Sequence, residues 1–559
     1  MTLPNFIKPK KNAEDEEMKR RIIAVLLVAA MAAGMTGCMK SANTGGSVNN
    51  KKEQEVAEAP EGLWDPYEET VTISTVIPEN SGIQWREGDS YDDNPWYREY
   101  KERFNIEVVN DWVSNDYSTK LNLSIADGSI PDVFRANSQQ LRQLHEADLI
   151  WDLTEVYDKY ASDLVKSYME QESSTFETGK VDGKLYGIPQ LSYGAIGYGN
   201  QIWIRKDWKE EANLPDPETM DDVLNIARTF QKEHGGYGLT ENQNLECFKI
   251  LATGWGAYPG IWIETENGKL GYGSVQPEMK EALEAYAEWY KEGIVDPQFA
   301  TKDLEKMLQG ELNNEVGVSP YYQYWGYDPG PDMIANNGND SIFEAYPIPS
   351  VNGEAVKIPV TFDNIGYVVV SKDCKNPETA LKLLNYYAWL MDECQDQELI
   401  VEAFDGAYGN IPYALRVINP NTDYNQYVKV KETLDKGLDE DASSLGKDAL
   451  KYINSANFLK TGKTDSLGDY CQQGAEKSAY RIAKEMIDSG NVMWDAMWGP
   501  GTETILSAGS TLDDILTEGF TKIIVGDKEI DYFDTLVADW EKAGGAKATE
   551  EINETYGNK

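Results

Sequence analysis

Histidine is almost missing from this chain: among 559 residues there are two, His145 and His234. Neither stands in an HExxH or GxSxG neighbourhood, so a histidine-based hydrolase is not expected. Cysteine is scarce as well. Beyond Cys38 the thiols are Cys247, Cys374, Cys394 and Cys471, four groups that allow three pairings with no spacing to choose among them. In a chain with this much core, free buried thiols are expected. Basic residues are outnumbered, 51 Lys and Arg against 95 Asp and Glu, for a formal net charge of −44. That surplus repels nucleic-acid phosphates, and no nucleic-acid partner is expected. It also weighs against strongly anionic ligands, although a local basic pocket can override the average. Interior apolar runs long enough to span a bilayer are lacking, and no repeat of fixed period is visible.

Two short motifs fall short of a site. Gly462-Lys463-Thr464 has the ending of a phosphate loop, but Asn457 stands where the first glycine belongs, and the stretch reads as a surface turn. Asp439-Glu440-Asp441 lacks the glycine and the terminal Glu of a calcium loop. No cofactor and no metal are expected.

The one long apolar run is at the start. Lys19-Arg20-Arg21, the run Ile22–Ala33 and the small residues up to Cys38 have the three-part layout of a secretory signal peptide. Cys38 directly after Thr36-Gly37 matches a bacterial lipobox, with Met35 where Leu is usual. Residues 1–37 are therefore expected to be removed and Cys38 to be lipidated. The acidic run Glu14–Glu17 has no place in a signal peptide and points to Met18 as the true start. From Cys38 to residue 64 the chain, rich in Ser, Asn, Gly, Glu and Lys up to about Pro60, reads as a flexible tether.

A chain of this length exceeds a single core, so two large lobes are expected. Val71–Val76 reads as a strand, and Asn94 caps a helix with Pro95 at its first position. Ile106–Val109 is a second strand, Asp116 caps a helix that ends at Gly128, and Ile130–Phe134 is a third strand. Strand, helix, strand, helix, strand predicts a right-handed parallel unit, with ligands at the C-terminal ends of its strands. Val181–Trp208 is expected to cross between lobes. Asp182-Gly183 signals a tight hairpin, Pro189 stops one ladder, and Gln201–Ile204 starts another. Thr219 with Asp222 predicts a capping box, Met279–Glu292 a helix, and Val316–Val318 a short strand. A second crossing is expected near 347–366 and a third near 400–415. Thr511 is expected to cap a helix through Phe520, and the late helices to pack over both lobes.

With 95 acidic residues, two carboxylates at glycosidase spacing occur by chance and carry no signal. Aromatics carry more, because sugar rings present C–H faces that pack on Trp and Tyr while their hydroxyls take Asp, Asn and Gln partners. Trp208, Trp289, Trp389 and Trp540 stand at helical spacing or beside helix starts and are expected in the core. Trp255, Trp325, Trp494 and Trp498 stand in Gly-, Pro- and Tyr-rich loops, where ligand contact and ordinary packing both fit.

The segments Ile125–Asp132, Val181–Pro189, Ile204–Trp208, Tyr290–Phe299, Cys374–Asn385 and Gly519–Ile552, in this order and spacing, resemble the extracellular solute-binding proteins of family 1. These are the capture subunits of ABC importers, and the likeness is to their large Gram-positive lipoprotein branch. The resemblance implies a two-lobed α/β fold of the periplasmic-binding-protein type, similar to maltose-binding protein (class II). Lobe 1 would take residues 65–192 and 357–410, and lobe 2 residues 193–356 and 411–559. It further implies a carbohydrate in the cleft between lobes, ABC permease subunits as partners, attachment to the outer face of the membrane through the lipid, and a monomer that is not an enzyme. The implied ligand contacts are Glu79 and Trp85 after the first strand, Asp132 and Asn137 at the third, and Tyr193 and Tyr198 at the crossover. Trp255, Trp325 and Trp498 complete the set from second-lobe loops. Asp132 has an equal alternative in capping the adjacent backbone. Two other readings stay open, a secreted carbohydrate-active enzyme (glycoside hydrolase or lyase) and a sugar-sensing lipoprotein.

Overall fold

The computed structural model describes residues 57–362 and 365–557. The signal segment, Cys38 and most of the expected tether lie outside the described residues. β1 (Val71–Pro78) leads to the helix Pro95–Phe104, whose first turn holds Pro95 while the Asn94 side chain accepts from the Tyr97 N–H. β2 (Ile106–Ser114) then pairs parallel with β1. The helix Tyr117–Asp127 is capped by Asp116 and closed by Gly128 at φ 74°, a left-handed turn that glycine adopts without cost.

β3 (Val133–Ala136) departs from the expected parallel unit. Pro131 has no N–H to lend a ladder, and a side chain makes the link instead. Asp132 Oδ2 accepts from the Ser74 N–H at 2.8 Å and from its hydroxyl at 3.1 Å, while the Asp132 N–H donates to Ser74 Oγ. β4 (Lys180–Val181) and β5 (Lys184–Leu185) form the hairpin predicted at Asp182-Gly183, both at positive φ as a tight two-residue turn requires. β6 (Ile188–Pro189) is followed by β7 (Gln201–Arg205), buried at every residue. After the small hairpin of β8 (Trp262–Glu264) and β9 (Leu270–Tyr272) come β10 (Val318–Tyr321) and β11 (Phe343–Tyr346), antiparallel on either side of β7. β12 (Ile358–Val360) pairs parallel with β14 (Val492–Trp494). Between them in sequence, β13 (Tyr367–Val370) is the middle strand of the sheet β3-β13-β6, antiparallel to both neighbours.

Two large cores result. One draws on residues 67–191 and 368–417, the other on 202–348 and 512–556. The chain passes between them from β6 to β7 and from β11 through β12 to β13. The third passage comes after Val417, later than 400–415, because Ile411, Ala414, Leu415 and Val417 still fill the first core. The late helices Glu503–Ile524, Tyr532–Trp540 and Ala546–Tyr556 bury their apolar faces in the second core, and Leu506 and Tyr556 border hollows shared with Arg142 and Thr178 of the first lobe. Thr511 lies inside the first of these. That helix begins at Thr502, where Glu551 accepts from the Thr504 N–H and hydroxyl at 2.9 and 2.8 Å, a carboxylate on the positive end of the dipole.

The capping box of Thr219 and Asp222 forms as predicted, and the predicted helix at 279–292 runs Pro277–Lys291. Trp208, Trp289 and Trp540 are buried and Trp389 is packed against the first core. The thiols of Cys247, Cys374, Cys394 and Cys471 are free and buried. Among the described residues, no helix is long and apolar enough to cross a membrane.

Candidate ligand-binding cleft

The first-lobe wall is built where β1, β2 and β3 end, against the segment 405–417. The Arg86 N–H donates to the Tyr408 hydroxyl at 2.7 Å, and the rings of Trp85, Tyr91 and Tyr408 meet edge to face. Further along, Tyr117 packs on Tyr413 with ring centres 5.4 Å apart. The Arg135 guanidinium lies 4.5 Å over the Tyr413 ring and donates to its hydroxyl. The Arg416 guanidinium stands 5.5 Å from the same ring. Gln190, wholly buried, fixes this segment by donating from Nε2 to the carbonyls of Tyr413 and Arg416, both at 2.9 Å. At Gly194, φ 72°, a Cβ would stand 2.2 Å from the Pro420 carbonyl oxygen. Only glycine allows that approach, and it sets Tyr193 beside the third passage of the chain. Tyr193 is 44% exposed, yet burial among surrounding protein raises its phenol, against the opposing charges of Arg416 and Lys447.

The opposite wall comes from the loop after β10 and from helices Thr422–Lys436, Ala449–Thr461 and Ala479–Asp488. The exposed Tyr327 donates to Asp469, and Lys451 donates to the Tyr327 hydroxyl at 2.7 Å while pairing with Asp469 at 2.8 Å. Asp423 accepts from the Tyr480 hydroxyl at 2.8 Å, and burial pushes its carboxyl up. The Tyr480 phenol is raised first by burial and then by Asp423, Tyr327 and Tyr193, so these groups share one neighbourhood. A direct link between walls is Trp498, whose Nε1–H donates to Thr175 Oγ1 at 3.0 Å. Trp494 and Phe362 stand edge-on to it. On one side of Trp498 is a hollow of about 580 Å³ bounded by Arg142, Thr178, Glu551 and Tyr556. On the other is one of about 300 Å³ bounded by Glu172, Trp494 and Asp495.

The model of the bacterial extracellular solute-binding protein family matches residues 85–388, more than half of the chain. The chain belongs to this family. Lipoprotein LipO of Bacillus subtilis (strain 168) is 22% identical over 477 residues, 80% of this solute-binding protein and 86% of LipO. The polygalacturonan/rhamnogalacturonan-binding protein YtcQ of the same organism is 23% identical over 487 residues, 82% of this chain and 87% of YtcQ. Among solved structures, the alginate-binding protein AlgQ2 matches with a TM-score of 0.54 at 15% identity, covering 89% of this chain and all of AlgQ2. An HMO-binding solute-binding protein from Bifidobacterium longum infantis gives 0.57 at 15% identity, covering 87% and 98%. These likenesses show the two-lobed α/β fold that the sequence implied.

Within this solute-binding protein the expected contact residues separate. Trp85, Tyr193, Tyr198 and Trp498 sit in or beside the walls just described; Tyr198 and Trp498 pack around one small core with Tyr480. Glu79 is exposed at the end of β1, its N–H held by the Ser114 carbonyl. Asn137 caps the helix Ser138–Glu146 in a capping box with Gln140. Asp132 takes its capping alternative on Ser74. Trp255 is partly buried in the second core with its ring 5.8 Å from that of Trp289. Trp325 corrects the expectation of a ligand-facing ring. It is wholly buried, stacked on Trp203 at 5.5 Å, and its indole N–H is satisfied by Glu311 Oε2 at 2.8 Å. Sequence reasoning missed Arg135, Tyr413, Arg416, Asp423, Tyr327 and Lys451. Arg135 could have been found from its place at the end of the third strand; Arg416, in Tyr413-Ala414-Leu415-Arg416, carries no periodic signal.

Proposed function

We propose that this solute-binding protein is the extracellular capture subunit of an ABC importer, held at the membrane by a lipid on Cys38, and that it closes its lobes on an oligosaccharide. The carrying observation is a set of exposed aromatic rings on both lobes: Trp85, Tyr193, Tyr327 and Trp494 are each 36–46% exposed, as is Trp64 near the start of the described chain, while the other tryptophans and tyrosines are mostly buried. Apolar rings left in water beside Asp, Asn, Lys and Arg side chains suit a ligand with C–H faces and a hydroxyl rim. The polygalacturonan and rhamnogalacturonan bound by YtcQ and the HMO bound by the Bifidobacterium protein support the same class. In this reading Tyr193, Tyr198 and Trp498 contact the sugar near the crossover, and Glu79, Trp85 and Asn137 contact it from the first lobe. Residues from both lobes reach the sugar only when the cleft shuts, so binding energy drives closure.

The test is a thermal-shift and calorimetric screen against plant and microbial oligosaccharides. A ligand-dependent rise in Tm, with no new reducing ends or unsaturated products on prolonged incubation, is the expected result. Catalytic release of either product overturns it in favour of a carbohydrate-active enzyme.

A further inference from the structure

We infer that Arg416 reads a carboxylate on the ligand, so that the sugar taken by this cleft is a uronate-bearing one, its acid group on the guanidinium and its ring beside Tyr193. The inference rests on the sugar-binding reading above and specifies its chemistry.

In a chain with 95 acidic residues, arginines find carboxylates readily. Arg86, Arg98, Arg103, Arg205, Arg228 and Arg481 each form an ion pair. Arg416 forms none among the described residues. Its Nη1 donates to the amide oxygen of Asn410 at 3.2 Å, and its Nε is buried without a partner. The side chain is nevertheless held in place, by the flat ring of Tyr413 beside it and by the buried Gln190, which grips its backbone carbonyl. The buried Nε faces the protein, and the Nη groups of this positioned guanidinium are the donors left for a carboxylate.

The neighbouring charges leave Arg416 available. Of the two cations felt at Tyr193, Lys447 is already paired with Asp448 at 3.0 Å, whereas Arg416 forms no ion pair among the described residues. The acids of this neighbourhood are occupied: Asp423 accepts from the Tyr480 hydroxyl and burial disfavours its ionised form, and Asp392 accepts from the Tyr168 hydroxyl and the Asn419 amide. Closing the lobes strips water from Arg416. A neutral sugar would then leave its charge uncompensated, which burial penalises heavily, whereas a uronate would neutralise it. The acidic average of the surface thus coexists with one guanidinium whose charge is left to a ligand.

The experiment is calorimetric titration of the full mature chain with trigalacturonate and with its methyl ester, a neutral ligand of the same shape. The acid is expected to bind at least tenfold more tightly than the ester, with the advantage shrinking as salt rises. Arg416→Gln should erase the difference between the two ligands, and Arg416→Lys should keep part of it. Equal affinity of acid and ester for the unmodified chain overturns the inference with no variant needed, and so does a preference that survives in a folded Arg416→Gln protein. If maltotriose or xylotriose binds and trigalacturonate does not, the inference fails while the sugar-binding reading stands. If no oligosaccharide binds, both fail.

Discussion

Two aromatic loops of this protein have opposite fates. Ser319–Tyr327 carries four Tyr and one Trp, and Met493–Thr502 two Trp and no Tyr, each with Gly and Pro beside the rings, and residue type alone does not rank one above the other as a ligand contact. The first sends Trp325 into the interior, where Glu311 accepts its N–H and Trp203 covers its face. The second leaves Trp494 46% exposed and gives Trp498 a partner on the other lobe, Thr175. The difference lies in where the indole N–H finds an acceptor. A buried carboxylate from the neighbouring helix Leu304–Leu312 makes the first loop part of a core; a hydroxyl across the cleft makes the second a bridge between walls.

Substitutions that remove each element of this contrast should grade accordingly. Trp325→Ala should have the largest effect, about 3–5 kcal/mol of lost stability from the cavity and the orphaned Glu311, read from the denaturant midpoint; a loss below about 1 kcal/mol would break the assignment of this loop to the core. Next is pH. Burial pushes both Glu311 and Glu241 up from 4.5 to about 7. Folding then holds them protonated where the unfolded chain ionises them, so their contribution is fully present below pH 4.5 and is lost as pH rises through about 7. The expected slope is roughly 1.4 kcal/mol per pH unit for each group within that window. Glu311→Gln should flatten it by one group's share, measured as Tm against pH.

Trp498→Ala should weaken oligosaccharide binding about tenfold, or roughly 1.4 kcal/mol, while changing Tm little; unchanged affinity by calorimetry would remove this ring from the site. The smallest effect is expected from Thr175→Val, which deletes one cross-lobe hydrogen bond worth about 1 kcal/mol. It should shift the unliganded protein toward a more open form, visible as a larger radius of gyration in small-angle scattering.

Local signals carried much of the fold. Asn94-Pro95, Asp116 with Gly128, Thr219 with Asp222, and Asp182-Gly183 state their own caps and turns, because each acts within four residues. What failed depends on distant partners. The third strand was assigned a parallel neighbour, but β13, more than 200 residues later in the sequence, occupies its edge. Thr511 has a capping residue's chemistry, but Glu551 anchors a start nine residues earlier. The site follows the same rule. Tyr193 was legible because the crossover announces itself through Pro and Gly, whereas Arg416 becomes noticeable only once the carboxylates near it are known to be tied elsewhere or missing. Trp325 was misjudged because no pattern in Ser319–Tyr327 reveals that Glu311 will lie beneath it.

The central position of β13 also bears on the order in which the molecule can be assembled. A ribosome or a secretion channel releases the chain from its N-terminus, so β3 and β6 emerge long before the strand that must lie between them. Until residue 370 is available, both flank an empty slot, and the second core waits longer still for residues 512–556. No N-terminal fragment ending before β13 contains the complete sheet β3-β13-β6, although β1 and β2 can already pair. Such fragments should be protease-sensitive and prone to pair with foreign strands, and the native molecule should form late, after nearly its whole length has been delivered.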